Sequence, residues 1–284
     1  MIAAILLAIV LFSWILPHII PVSHWLRYYV CYLTAFIYSF IGCLFFIVLI
    51  IILPKKYFRR CVVLVAQIIS KILGIEWEFR NESNLMKNHG KGIFVANHQS
   101  MFDILGLLYI SQNFGDCVPV TKKELYYFWP IGLLGYLSGS IFIDRGNSLA
   151  AITNLNFAAN AHFHRYSQAQ ILIFPEGTRN KFGNNFLPFK KGAFRLAIYH
   201  QLPIFPIVIS PYYFIQKNQF FGKGKIIINF LEPISTTNLE NDDVEKLMEK
   251  TRTIMENKFN ILKYEVNLNN LQNMLMKKEK KLKF

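Results

Sequence analysis

His98 and Asp103 stand with four residues between them in Asn97-His98-Gln99-Ser100-Met101-Phe102-Asp103, directly after a short apolar run. A carboxylate that accepts a hydrogen bond from one imidazole nitrogen fixes the tautomer and leaves the other nitrogen as a base. That is two thirds of a nucleophile-activating relay, with the hydroxyl missing from the protein; a substrate carrying its own hydroxyl completes it. Plainer uses compete for each residue alone. Ser100 and Asp103 have the Ser-x-x-Asp spacing of a helix cap, and a loop histidine commonly bonds a carbonyl. The pair following a hydrophobic strand is harder to explain without chemistry.

Two further clusters carry guanidinium groups. Gly139-Ser-Ile-Phe-Ile-Asp144-Arg145 reads as a buried strand that ends on an acid and a base, and Phe174-Pro-Glu176-Gly177-Thr178-Arg179 as another strand end, where Pro175 stops the ladder and Gly177 permits close backbone approach. Arg145 and Arg179 emerging from one sheet edge would make a clamp for a phosphate. The alternative is surface ion pairing within Asp144-Arg145 or between Glu176 and Arg179. Lys122 and Lys123, in Val120-Thr-Lys-Lys-Glu-Leu125, suit phosphate contact and plain surface exposure equally. Leu202 to Ile209, apolar with two prolines, reads as packing. Cys31, Cys43, Cys61 and Cys117 form no CxxC pair and suggest neither a metal site nor a disulfide framework.

The elements that must position these groups alternate along the chain. Gly92–Ala96, Ser140–Ile143, Ile171–Phe174, Ile204–Ile209 and Ile226–Phe230 read as strands, and Met101–Ile110, Ser148–Tyr166, Gly192–His200 and about Asp242–Leu262 as helices, the last preceded by a possible capping box at Thr237 and Glu240. The expected fold class is α/β: a mixed sheet flanked by helices, with an N-terminal hydrophobic helical membrane region. In such sheets ligand sites sit at strand ends, where the polar clusters fall.

Of the 284 residues 53% are hydrophobic and 17% charged, which excludes a disordered or collagen-like chain. Residues 2–26 and 31–53 contain no Asp, Glu, Lys or Arg. Cys31 to Leu53, as a helix, would extend roughly 35 Å against a hydrocarbon core of roughly 30 Å. Ile2–Leu16, interrupted by Pro17, either spans or dips in and returns; it lacks the basic start and the cleavage site of a signal peptide. The net charge of +14 is concentrated at Arg27, Lys55, Lys56, Arg59, Arg60 and Lys71, with no acid in residues 1–75, and in the lysine-rich tail 277–284. Charge flanking apolar segments points to anionic lipid rather than to nucleic acid. By the positive-inside rule the residues after 54 are cytosolic. The expected division is membrane-inserted helices over 1–53, a basic amphipathic interfacial helix over 54–75, and a cytosolic catalytic domain with a basic tail over 76–284. The helix of 54–75 either lies on the membrane or simply packs on that domain.

These clusters, in this order, resemble the 1-acylglycerol-3-phosphate acyltransferase family, also called lysophosphatidic acid acyltransferases. The likeness runs from about Ile93 to Pro233 and rests on Asn97-His98-Gln99-Ser100 with Asp103, Cys117-Val-Pro-Val-Thr-Lys122-Lys-Glu-Leu125, Ile141-Phe-Ile-Asp144-Arg145, Phe174-Pro-Glu-Gly-Thr-Arg179, Leu187-Pro-Phe-Lys-Lys-Gly-Ala193 and Pro203-Ile-Phe-Pro206. The resemblance implies a glycerolipid acyltransferase-like fold and transfer of a fatty acyl chain from acyl-coenzyme A, as co-substrate, to the sn-2 hydroxyl of lysophosphatidic acid, giving phosphatidic acid in phospholipid biosynthesis. It implies His98 as general base with Asp103 as its orienting partner. Lys122, Arg145, Glu176, Gly177, Thr178 and Arg179 would bind the acceptor. No metal and no cofactor is expected, and the partners are membrane lipid, lysophosphatidic acid and acyl-coenzyme A, with no nucleic acid. The expected location is the endoplasmic reticulum membrane, domain facing the cytosol, with a bacterial inner membrane as the alternative. Glycerol-3-phosphate or another lysophospholipid as acceptor, and a non-catalytic membrane-shaping scaffold, are the rival readings.

Overall fold

The computed structural model describes residues 15–21, 25–86, 91–146, 148–180, 185–216 and 220–282. The expected apolar segment Ile2–Leu16 lies outside these residues as far as position 14. Helix α1, Trp25–Ile52, begins six residues before the run expected from composition and takes in Arg27. A charge is tolerated there because it is buried in protein: Arg27 Nε donates to the Phe221 carbonyl at 2.7 Å and Nη1 to that of Ile20 at 3.3 Å. Among the described residues α1 is the one helix long and apolar enough to cross a membrane. Yet one of its faces is occupied by the rest of the chain, with Val30, Cys31, Thr34, Ala35 and Phe46 buried. Leu33, Phe36, Phe45, Val48 and Ile51 on its other side are exposed.

Helix α2, Lys55–Leu73, follows Pro54 and is closed by Gly74, whose φ of 73° a side chain would resist. Of the two uses read from its amphipathic pattern, packing on the domain is seen: the helix covers the sheet with one face. Val63, Ala66, Ile69, Ile72 and Leu73 are buried, while Tyr57, Leu64 and Ile68 stay exposed.

The sheet has seven strands in the order β1-β9-β6-β2-β5-β3-β4. They are β1 Ile75–Arg80, β2 Gly92–Ala96, β3 Asp116–Lys122, β4 Ile141–Ile143, β5 Ala169–Ile173, β6 Ile204–Ile209 and β9 Gly224–Phe230. A separate hairpin pairs β7 Ile215–Gln216 with β8 Phe220–Phe221. Every neighbour in the large sheet is parallel except β6 with β9, so the sheet is mixed, as expected. The period of two along the strands divides two cores. Ile93, Val95, Ala169, Ile171, Ile204 and Val208 face one, which is covered by α6 Ser148–Arg165, α7 Gly192–Tyr199 and α8 Val244–Leu282. Phe94, Ala96, Leu172, Phe205, Ile207 and Ile228 face the other, covered by α1, α2 and α4 Phe102–Tyr109. Two shorter helices are α3 Ser83–Met86 and α5 Ile131–Leu137.

Further features differ from the sequence reading, and strand β3, Asp116–Lys122, was not among the strands expected. Strand β1, Ile-Glu-Trp-Glu-Phe-Arg, carries charges at alternate positions because it is an edge strand; Glu78 pairs with Lys225 at 3.0 Å and Arg80 with Glu265 at 2.5 Å. Helix α8 runs to Leu282 rather than ending near Leu262. Its lead-in is capped by Glu240 and Asp243, not by Thr237 and Glu240, because Asp243 Oδ2 accepts the Glu240 N–H at 3.0 Å.

Candidate active site

Strands β2, β5, β3 and β4 are adjacent and parallel, so their C-terminal ends open on one edge. That edge collects every candidate residue. His98 follows β2, Glu176 to Arg179 follow β5, Lys122 ends β3 and Arg145 follows β4. With strands roughly 4.8 Å apart, residues separated by more than forty positions of chain come within a few strand widths of one another.

The turn that carries His98 is made by Asn97. This buried side chain donates to the Ile209 carbonyl at 3.0 Å and accepts the Ile209 N–H at 2.8 Å, standing in for the next rung of the β2–β6 ladder. Gln99 Nε2 adds bonds to the carbonyls of Ile209 and Ser210 at 3.0 and 3.1 Å. The backbone is thereby peeled off the sheet with its polar groups satisfied.

His98 Nδ1 lies 2.7 Å from Asp103 Oδ2. The histidine side chain is 17% exposed and the aspartate fully buried, so the ring is the outward member of the pair. Asp103 sits in the first turn of α4, as its spacing predicted, but its carboxylate reaches back over the turn. Oδ2 also accepts the N–H groups of Gln99 at 2.6 Å and Ser100 at 2.8 Å, and Oδ1 accepts the Tyr212 hydroxyl at 2.7 Å. Helix-start bonding and histidine pairing, which looked like rival explanations of this aspartate, are satisfied by the same oxygen. A carboxylate oxygen that accepts from an imidazole fixes the tautomer with the proton on Nδ1, and in that tautomer Nε2 keeps its lone pair. The ring is also stacked on Phe174, with centroids 4.1 Å apart and planes 22° from parallel, which limits its rotation.

Glu176 is 4% exposed. Its Oε1 accepts the His98 N–H at 2.8 Å and its Oε2 the Leu187 N–H at 2.9 Å, so the carboxylate ties the loops after β2 and β5 together. The Asn180 N–H returns a bond to the His98 carbonyl at 2.7 Å. Burial pushes the Glu176 carboxyl above its usual range, an effect the two N–H donors oppose without cancelling. The expected alternative of a Glu176–Arg179 ion pair is not formed, since both oxygens are taken by backbone.

Arg145 Nη1 donates to the Gly177 carbonyl, joining the β4 end to the same loop. Gly177 has φ +69°, and a Cβ there would come within 2.8 Å of Lys190 Cε. Thr178, Arg179 and Lys122 are exposed on this edge. Asp144 accepts the Gly146 N–H at 2.9 Å and stands 3.8 Å from Lys123 Nζ, so it too is occupied without Arg145. The edge therefore carries the outward-facing imidazole of His98 together with Lys122, Arg145 and Arg179; an imidazole can take a proton from a hydroxyl, and such cations attract an anionic group.

Two residues escaped the sequence reading. Lys190 falls in the Leu187–Ala193 block, whose adjacent lysines were the available signal. Tyr212 lies beyond β6, and nothing local marks it: only the sheet order carries it to Asp103.

Residues 76–210 match the family model described as Acyltransferase, which defines the class of the domain. The chain is 39% identical over 165 residues to 1-acyl-sn-glycerol-3-phosphate acyltransferase alpha of Homo sapiens, a match covering 57% of this chain and 56% of that protein. It is 33% identical over 198 residues to the 1-acyl-sn-glycerol-3-phosphate acyltransferase of Salmonella typhimurium, covering 70% of this chain and 78% of that one. The chain belongs to the 1-acylglycerol-3-phosphate acyltransferase family. The match spans little more than half the length of the mammalian relatives. In fold, it resembles the crystal structure of the 1-acyl-sn-glycerophosphate (LPA) acyltransferase, PlsC, from Thermotoga maritima, with a TM-score of 0.65, 21% identity and coverage of 82% of this chain and 92% of that one.

Proposed function

We propose that this protein transfers a fatty acyl chain from acyl-coenzyme A to the sn-2 hydroxyl of lysophosphatidic acid, giving phosphatidic acid and coenzyme A. The observation that carries the reading is the 2.7 Å contact between His98 Nδ1 and a buried, four-fold hydrogen-bonded Asp103 at an edge lined by Lys122, Arg145 and Arg179. His98 Nε2 takes the hydroxyl proton as the oxygen attacks the thioester carbonyl. The new C–O bond forms, the C–S bond breaks, and the thiolate recovers a proton. The hydroxyl is a weak nucleophile and the thioester a good electrophile, so activation and alignment suffice and no metal or cofactor takes part. Lys122, Thr178 and Arg179 hold the acceptor's phosphate. Glu176, Gly177 and Arg145 shape the loop from which Arg179 extends.

Membrane attachment follows from α1. Its inner face is packed on the domain, so lipid meets it from the Phe36, Phe45 and Val48 side. At the start of α2 the exposed Lys56 and Arg60 are the cations open to anionic headgroups, since Lys55 pairs with Asp116 at 3.1 Å and Arg59 donates to the Phe114 and Gly115 carbonyls; the proposed seat of the catalytic edge is the cytosolic surface, where both amphiphilic substrates partition.

The decisive measurement is thioester consumption by detergent-purified protein with lysophosphatidic acid against glycerol-3-phosphate. Turnover only with the former is expected, and His98→Ala lowers it by roughly 10²- to 10⁴-fold, the usual worth of a general base. Preference for glycerol-3-phosphate would replace the acceptor, and near-normal turnover in the His98 variant would remove the mechanism.

A further inference from the structure

We infer that the segment Tyr126–Leu137 is a second membrane-contacting element, seated at the bilayer interface beside α1 and bringing the catalytic edge down onto the lipid. This rests on the attachment through α1 proposed above, and the test separates the two.

The segment connects β3 to β4, starting from the same edge as Lys122. Residues 125–143 contain no charged side chain. Its aromatic groups face solvent rather than core: Tyr127 is 72% exposed, Trp129 60% and Tyr136 61%, with Tyr126 and Phe128 also exposed. Single exposed hydrophobics are ordinary on any protein, whereas a contiguous set of large ones marks a contact surface. Here the rings form connected series. Tyr126 stands edge-on to Tyr127, Tyr136 and Phe142, with centroids 5.3, 6.0 and 5.3 Å away.

Continuity identifies the occupant. Trp129 packs edge-on against Phe40 of α1 at 5.8 Å, and Phe40 is 6.4 Å from Phe36, itself exposed on the lipid-facing side of α1. The patch therefore extends the apolar face of α1 instead of forming an island. Its composition suits the headgroup boundary, because tyrosine and tryptophan present an apolar body with one polar atom that stays wet. Lys122, exposed beside it in sequence, is the cation that anionic lipid would meet there, Lys123 being near Asp144 at 3.8 Å and Arg145 bonded to the Gly177 carbonyl.

The test uses the full chain in phosphatidylcholine nanodiscs with brominated acyl chains. Trp129 is kept as the sole tryptophan by replacing the other three with phenylalanine; in a parallel protein lacking all four, Phe45→Trp reports on α1. Quenching of both by the bromines is expected. Quenching of the Phe45→Trp reporter with none of Trp129 would overturn this inference while leaving attachment through α1 intact, and quenching of neither would overturn both. Trp129 shielded from lipid bromines and from aqueous acrylamide alike would assign the patch to protein, whether a second copy or another part of this chain, and would also overturn the inference. A functional arm keeps the native tryptophans. Tyr127→Ser with Tyr136→Ser should lower turnover of long-chain lysophosphatidic acid in vesicles at least fivefold and leave that of a monomeric short-chain analogue within twofold. Equal loss on both substrates would indicate damage to the fold and contradict a membrane role.

Discussion

The Tyr212 hydroxyl donates to Asp103 Oδ1 at 2.7 Å across 109 positions of chain, and it completes the set of donors around the aspartate that faces His98. Burial and the neighbouring carboxylate push the Tyr212 phenol well above its usual value, so it stays protonated and serves as a donor. In the proposed mechanism it is a positioning residue, holding the aspartate that orients His98.

Tyr212→Phe removes one bond from a buried charge, worth about 1.5–3 kcal/mol, shared between fold stability and the geometry of the dyad. The expected outcome is a fall in kcat of about tenfold with KM for both substrates nearly unchanged, alongside a lowered melting temperature. A large rise in KM for one substrate would place the phenol in contact with it and refute the positioning role.

Arg179 is exposed on the loop whose shape Arg145 and Glu176 maintain. Arg179→Ala should therefore raise KM for lysophosphatidic acid by roughly tenfold or more, the worth of one charge-assisted bond, while KM for acyl-coenzyme A barely moves. Arg145→Ala acts through the Gly177 carbonyl and should lower kcat as well as acceptor affinity. Initial-rate kinetics with each substrate varied in turn checks both; equal KM effects of Arg179→Ala on donor and acceptor would contradict phosphate recognition.

Glu176 gives a pH signature. Its carboxyl is raised above its ordinary value of 4.5 in the folded protein, so the native state binds more protons than the unfolded chain between the two values. Stability from this group is greatest below about 4.5 and declines as pH rises through the folded-state value, because the ionised form must be carried without water. Melting curves from pH 4 to 7 should show Glu176→Gln gaining on the parent as pH rises. A constant difference across that range would mean the carboxylate is no costlier folded than unfolded.

Much of this arrangement is written in short stretches of chain. Val95 and Ile171 declare buried strands because parallel central strands are covered on both faces and read as unbroken apolar runs, and the turn after each collects the polar residues that cannot lie inside. Strand β1 was hidden for the same reason in reverse. At an edge, Glu76, Glu78 and Arg80 meet water or countercharges, and their alternation erased the hydrophobic signal. The amphipathic pattern of α2 was visible, but a sequence states only that an apolar face exists and not which surface covers it.

The sequence by itself determined that a histidine and an aspartate share one turn after a buried strand, that arginines follow two other strands, and that the N-terminal region is apolar and flanked by cations. Each of these follows from local periodicity and backbone stiffness, which act over a few residues. Only the tertiary structure decided that Tyr212 completes the aspartate's bonding, that Glu176 spends both oxygens on backbone N–H groups, and that Trp129 continues the apolar face of α1. Those contacts depend on strand order and helix placement, which are fixed when two cores fill simultaneously, and no short window of residues encodes a partner a hundred positions away.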